Sequence, residues 1–209
     1  MPLERISRLE VSIVPPLSDE DVRQLHVGDR LRISGVIYTA RDAAHRRMSD
    51  TLARGGKLPI DVKGQLLYYV GPTPPRPGRV VGAVGPTTAM RMDEFTPRLL
   101  KAGLKATMGK GNRGSRVRKA LEEYVAVYFM AVGGAGAMLS RFVKSVAEVA
   151  YQDLGTESIK RMEIQDFPAV VMDDCYGHDL LMEGREQWRD PSKLGSYKGS
   201  KRIVIAGGG

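Results

Sequence analysis

The strongest constraint on the fold of this chain is a rhythm between residues 30 and 175. Short apolar runs alternate there with helical patterns, separated by glycine or proline breaks. Residues 30–37 (RLRISGVI) alternate basic and apolar side chains as a half-buried strand does. A helical pattern opens at Thr39, with Ala43, Ala44, Met48 and Leu52 at core-facing spacing, and Gly55-Gly56 ends it. Residues 65–70 (QLLYYV) read as a buried strand, 71–78 with four prolines as an extended loop, and 79–84 as another short strand. Thr87 or Thr88 is placed to cap a helix running through Met92 and Phe95 to Lys101, where Gly103 stops it. Strands at 104–108, 126–132, 143–151 and 169–172, a basic helix at 115–123 and a small-residue helix after Gly133-Gly134 complete the series. Strands alternating with helices predict one α/β domain.

That domain is expected to span residues 25–183. Residues 1–24 read as an approach segment, broken at Pro15-Pro16, with Ser18 capping a short helix whose first turn holds Asp19, Glu20 and Asp21. Residues 184–209, with six basic and two acidic side chains and three terminal glycines, read as a tail. The single cysteine, Cys175, excludes a disulfide framework. With no apolar run of ~18 residues and no signal-type segment at the start, the expected setting is soluble and cytoplasmic, with no membrane contact.

Charge narrows the function. Lysine and arginine number 32 against 24 acids, a net +8, and residues 95–121 contain no acid at all. Arg98, Lys101, Lys105, Lys110, Arg113, Arg116, Arg118 and Lys119 fall in that stretch and equal the whole excess. An anionic partner is expected nearby, and a nucleic-acid-binding module is the competing function class. The low aromatic content of 6% and the lack of any RNA- or DNA-binding motif weigh against it. Arg113, Arg116, Arg118 and Lys119 are expected to face solvent or an acidic partner.

Familiar site motifs fail one by one. Gly133-Gly134-Ala135-Gly136 lacks the third glycine of a dinucleotide fingerprint, because position 139 is Leu, and reads as a close-packing site. Gly109-Lys110-Gly111 lacks the hydroxyl residue and upstream glycine of a phosphate loop, yet a lysine in such a turn is well placed to meet an anion. Cys175 and His178 alone cannot make a metal site, and no metal is expected on this chain. Two segments remain. Residues 39–45 set Arg41 beside Asp42 at a helix start, and residues 85–92 set Thr87 and Thr88 one turn before Arg91. With Lys110 they supply the parts of a carboxylate receptor: two bidentate-capable guanidiniums, an ammonium, two hydroxyls and backbone donors.

These segments resemble a known family. SGVIYTARDAAH (34–45), LPIDVKG (58–64), VGP (70–72), GPTTAMRMD (85–93), GKG (109–111), GGA (133–135) and DLGTE (153–157) are similar, in order, to the C-terminal domain of class I fumarases. That domain is the separate beta subunit in two-chain fumarases and L-tartrate dehydratases. The resemblance covers about residues 25–180 and implies a swivelling β/β/α three-layer domain, as in the mobile domain of aconitase-like enzymes. It implies reversible hydration of fumarate to (S)-malate by a hydro-lyase. A [4Fe-4S] cluster held by three cysteines of a partner alpha subunit would bind substrate, in an α2β2 assembly. This chain would carry no cluster itself. Carried over residue by residue, Arg41, Arg91 and Lys110 would grip the substrate carboxylates. Thr87 would take the C3 proton of malate, Thr88 would hydrogen-bond the substrate, Asp42 would orient Arg41, and His45 would stand behind them. L-Tartrate and a methylated fumarate (mesaconate) are the alternative substrates. Ala40 and Ala44 stand where tartrate-type subunits tend to carry cysteines, which favours fumarate. A stand-alone dicarboxylate sensor is a further alternative.

Overall fold

The computed structural model describes residues 3–7 and 10–190. Its frame is one mixed sheet. Strands β3 (Arg30–Thr39), β4 (Leu66–Tyr68), β5 (Ala106–Gly109) and β6 (Val127–Met130) run parallel in that order. The long strand β8 (Ile159–Asp173) lies antiparallel to both β6 and β3, closing these five strands into a barrel-like ring. Outside the ring, β7 (Val143–Ala150) pairs with the first half of β8. Strand β2 (Glu10–Ile13) pairs with the first half of β3, and β1 (Leu3–Ser7) pairs with β2. Three helices link the parallel strands: α2 (Asp42–Ala53), α3 (Thr96–Lys101) and α4 (Ser115–Glu123). The remaining helices are α1 (Asp19–Arg23), α5 (Gly136–Leu139) and α6 (Leu180–Gln187). The expectation of an α/β class therefore holds.

The central strands are apolar throughout because both of their faces are buried. Leu66, Tyr68, Ala106, Met108, Val127 and Phe129 join one core with Ile33, Ile37 and Phe167. Their alternates Leu67, Tyr69 and Tyr128 pack a second core with Ala44 and Met48 of α2, Leu99 and Leu100 of α3, and Val117 and Leu121 of α4. Each strand thus divides its side chains between two layers with a period of two.

Helix α1 starts as expected, with Ser18 and Asp21 forming a reciprocal capping box. Helix α4 occupies the predicted 115–123. Elsewhere the elements differ. Helix α2 begins at Asp42, because Thr39 completes β3, pairing with Tyr68 on one side and Lys160 on the other. Residues 79–84 form no strand. They fold back on Thr73, whose flanking prolines offer no N–H for a ladder. The helix expected from residue 87 is split into a 3₁₀ turn, Ala89–Met92, and α3, since the Thr87–Ala89 backbone is drawn into a bridge with Lys110. Thr88 makes no side-chain cap bond there.

The strand expected at 169–172 is only the end of the 15-residue β8. Asp166 and Pro168 hide the rest from the apolar pattern. The structure absorbs them as a bulge: two β8 residues face Ser34, Asp166 takes φ 53°, and its N–H donates to Ser34 Oγ at 2.9 Å. Gly136 is the close-packing site expected of a helix against a strand, but its neighbour is the loop at Gly85. A Cβ there would stand 2.8 Å from Gly85 N, and its carbonyl accepts from Val84 N–H at 3.0 Å. Strands β1 and β2 and helix α1 arise from the expected approach segment, and α6 crosses the expected boundary at 183/184. Residues 191–209, most of the expected tail, lie outside the described residues. No helix among the described residues is long and apolar enough to cross a membrane.

Candidate functional site

The four parallel strands end on one edge of the sheet, and the singled-out residues lie just beyond those ends. The loops beyond the carboxyl ends of parallel strands are where α/β folds, open or closed, place ligands. Arg41 follows β3, Tyr69 follows β4 and Lys110 follows β5. The segment Thr87–Asp93 is tied to the same edge by three backbone bonds: Thr87 N–H to Tyr69 O (2.7 Å), Lys110 N–H to Thr87 O (3.0 Å) and Ala89 N–H to Lys110 O (2.9 Å). Only glycine fits at 109, where a Cβ would stand 2.8 Å from the Tyr69 ring and 3.0 Å from Thr87 O.

Two clusters meet here. In the first, Arg91 Nε donates to Asp42 Oδ1 at 2.7 Å, linking the 3₁₀ turn to the start of α2. Arg41 Nη2 lies 3.7 Å from Asp42 Oδ2 but 3.2 Å from Glu157 Oε1. Asp42 therefore orients Arg91 more directly than Arg41, and Glu157 is the closer partner of Arg41. Glu157 also accepts from Ala43 N–H at 3.0 Å, so one carboxylate satisfies a first-turn amide of α2 and aims the guanidinium beside it. In the second cluster, backbone pairing brings Thr87, Thr88 and Lys110 together, with the Thr88 and Lys110 side chains exposed.

His45 lies buried behind Arg41. Its Nδ1 must donate to the Arg41 carbonyl, 2.9 Å away, because a carbonyl only accepts, and its edge meets the Tyr69 ring at 5.0 Å. Burial pushes its pKa down to about 4, so it is a neutral imidazole at physiological pH. Among the described residues, Arg41 Nε, Asp42 Oδ2 and His45 Nε2 are buried without a hydrogen-bond partner. These three atoms are unused hydrogen-bonding capacity gathered within one turn at the start of α2.

The basic stretch is not the stripe that its charge suggests. Arg113, expected at the surface, is 1% exposed. It donates to Asp93 Oδ1 (2.8 Å), Tyr69 OH (2.9 Å), Thr96 Oγ1 (2.8 Å) and Thr107 Oγ1 (3.3 Å), between the rings of Tyr69 and Tyr128. Arg118, also expected outside, bonds Asp179 Oδ2 at 2.7 Å. Lys105 reaches Asp19 at 2.6 Å, and Arg98 donates to Ser49 Oγ at 3.0 Å. These internal partners remove much of the footprint that a nucleic-acid reading needs.

Sequence reasoning missed Glu157, Tyr69, Asp93 and the buried role of Arg113. Glu157 and Asp93 close two of the resembling motifs, the one signal that pointed at them, and Tyr69 was concealed in an apolar strand.

Comparisons with known proteins agree on a family. A family model described as the fumarase C-terminus matches residues 3–184. The chain is 35% identical, over 88% of its length, to a Geobacillus stearothermophilus protein provisionally named fumarate hydratase class I. It is 34% identical, over 84% of its length, to the aerobic class I fumarate hydratase of Salmonella typhimurium. It covers only 37% and 31% of those two proteins. By contrast it covers 89% of a Methanocaldococcus jannaschii protein provisionally named L(+)-tartrate dehydratase subunit beta, with 35% identity over 80% of this chain.

Proposed function

Because the chain belongs to the fumarase C-terminus family, we propose that it is the beta subunit of a two-chain hydro-lyase interconverting fumarate and (S)-malate in the cytoplasm. The carrying observation is the convergence of Arg41, Asp42 and Arg91 with Thr87, Thr88 and Lys110 on one sheet edge. The near-complete overlap with a protein named as a beta subunit supports the two-chain form, for which we propose α2β2 stoichiometry. We also assign the domain the swivelling β/β/α role of the family's mobile domain.

In this reading the guanidinium forks of Arg41 and Arg91 hold the substrate carboxylates, and Lys110 supplies a third positive charge. Thr87 takes the C3 proton of malate, and Thr88 hydrogen-bonds the substrate beside it. A threonine hydroxyl is a weak base by itself. The surrounding cations stabilise its alkoxide, and they stabilise equally the extra charge that builds on the carboxylate as the proton leaves. His45, neutral and buried, holds the Arg41 carbonyl without adding charge.

The four-iron cluster implied by the resemblance does not fit this chain. Cys175 is its lone cysteine, and among the described residues no three His, Cys, Asp or Glu side chains are placed to hold a metal ion. The cluster is assigned to the alpha subunit, so the chain by itself should not turn over. The full chain assembled with its partner should hydrate fumarate faster than it dehydrates L-tartrate or hydrates mesaconate. Thr87→Ala and Arg91→Ala should lower kcat/KM about a thousand-fold while the assembly still elutes intact. Activity retained by Arg91→Ala would remove the site assignment, and a preference for tartrate would replace the substrate.

A further inference from the structure

We propose that the buried Arg113 and its partner Tyr69 are positioning residues that hold the segment Thr87–Asp93 at both ends and so aim Thr87 at the substrate. The proposal deepens the reading of this edge as a hydro-lyase site and rests on it for the role of Thr87. Arg113 reaches the segment by two routes, one direct and one through Tyr69. At its far end, past Arg91, Asp93 accepts from Arg113 Nε at 2.8 Å and from Gly114 N–H at 2.7 Å. At its near end the link runs through Tyr69. The Tyr69 hydroxyl accepts from Arg113 Nη1, and the Tyr69 carbonyl accepts from Thr87 N–H at 2.7 Å.

Tyr69 is fixed on every side. Its N–H donates to Met108 O at 2.8 Å, its ring fills the space left by Gly109, and His45 meets it edge-on. It thus touches the β5–Lys110 turn, the start of α2 and the Thr87 backbone together.

A charge at full burial is a costly way to fill space. An apolar side chain of similar volume would pack there without desolvating an ion. Burial opposes the Arg113 cation, and Tyr69 and Asp93 more than offset it, so it remains charged. What the fork adds is direction. Three of its bonds go to hydroxyls (Tyr69, Thr96 and Thr107) and one to a carboxylate, and two aromatic faces flank it. A misplacement of the reacting group by about 1 Å is enough to cost on the order of a hundred-fold in rate.

The test uses Tyr69→Phe, which keeps the ring and deletes one hydroxyl, and Arg113→Lys, which keeps the charge and deletes the fork. Phe167→Leu, in the other core, serves as a control for lost stability. In the full chain alone, hydrogen exchange at the Thr87 amide should quicken about ten-fold in both variants relative to a Phe167→Leu chain of equal melting temperature. In the assembled hydro-lyase, kcat should fall about ten- to a hundred-fold with KM within about two-fold of wild type. Thr87 exchange no faster than in Phe167→Leu overturns the proposal. So does an unchanged kcat, or a loss confined to KM. If Thr87 exchange responds but the wild-type assembly does not hydrate fumarate, the reading of the reaction fails and the positioning of Thr87 by Arg113 and Tyr69 stands.

Discussion

Asp42 sits between two arginines and bonds them unequally, 2.7 Å from Arg91 Nε against 3.7 Å from Arg41 Nη2. Its neutral isostere therefore separates their roles. Asp42→Asn should leave the melting temperature nearly unchanged and raise KM for fumarate about ten-fold or more, as expected for a lost charge-assisted bond of about 2 kcal/mol. Steady-state kinetics of the assembled variant check this; a KM within two-fold of wild type would remove Asp42 from the anchoring of Arg91. That these residues share one end of the sheet was legible because their segments follow predicted strands. Their pairings were not. Glu157 is remote in sequence from Arg41, and nothing local marks it as the nearer partner. Arg113 misled for a related reason. Its counter-ion Asp93 lies just outside the acid-free stretch 95–121, so the local charge pattern shows a surplus where the fold makes a pair.

Elements were legible where one signal dominated. Helix α4 opens at Ser115, and its core-facing Val117, Ala120 and Leu121 are buried while its charged face is not. Strands β4 and β5 are short runs with glycines close on both sides, and β6 is a run followed by Gly133-Gly134. Sequence failed where long-range pairing overruled local pattern, as when Lys110 captured the backbone around Thr88 and broke a plausible helix. Helix α2 shows the same dependence at its start. Its N-cap, Arg41, makes no capping bond, and the distant Glu157 supplies the acceptor for Ala43 N–H. Glu157→Gln keeps that acceptor and loses the negative charge facing Arg41, so KM should rise several-fold with little change in melting temperature. Glu157→Ala loses both, and should in addition lower the melting temperature by about 2–4 °C, corresponding to roughly 1 kcal/mol. Paired melts and kinetics of the two variants separate the capping role from the aiming role. Equal melting temperatures for the two would remove the former.

At the scale of the whole molecule, stability should carry two opposing responses to pH. Asp173 is buried at the end of β8, neither of its oxygens has a hydrogen-bond partner among the described residues, and burial beside Asp179 raises its pKa to about 7 from 3.8. The folded state then holds a proton that the unfolded chain has released. Its contribution is complete below about pH 4 and is lost as pH rises to about 7. For His45, neutral when folded, the contribution is present above about pH 6.5 and is lost as pH falls towards about 4. Asp173→Asn should therefore raise the melting temperature at pH 8 and leave it nearly unchanged at pH 4, exposing a climb between pH 4 and 6.5 from His45. Thermal melts across that range test it, and an equal gain at both ends would exclude titration of Asp173. The same ring that buries Asp173 also sets an order of assembly. Arg41 and β3 emerge early during synthesis, but Glu157 and the seam strand β8 follow Arg41 by more than a hundred residues. A ribosome-bound chain halted before residue 157 has its arginines and hydroxyls but neither the carboxylate that aims Arg41 nor the strand that shuts the ring. The candidate site is therefore complete only when β8 is laid down, and a chain cut short there presents open sheet edges.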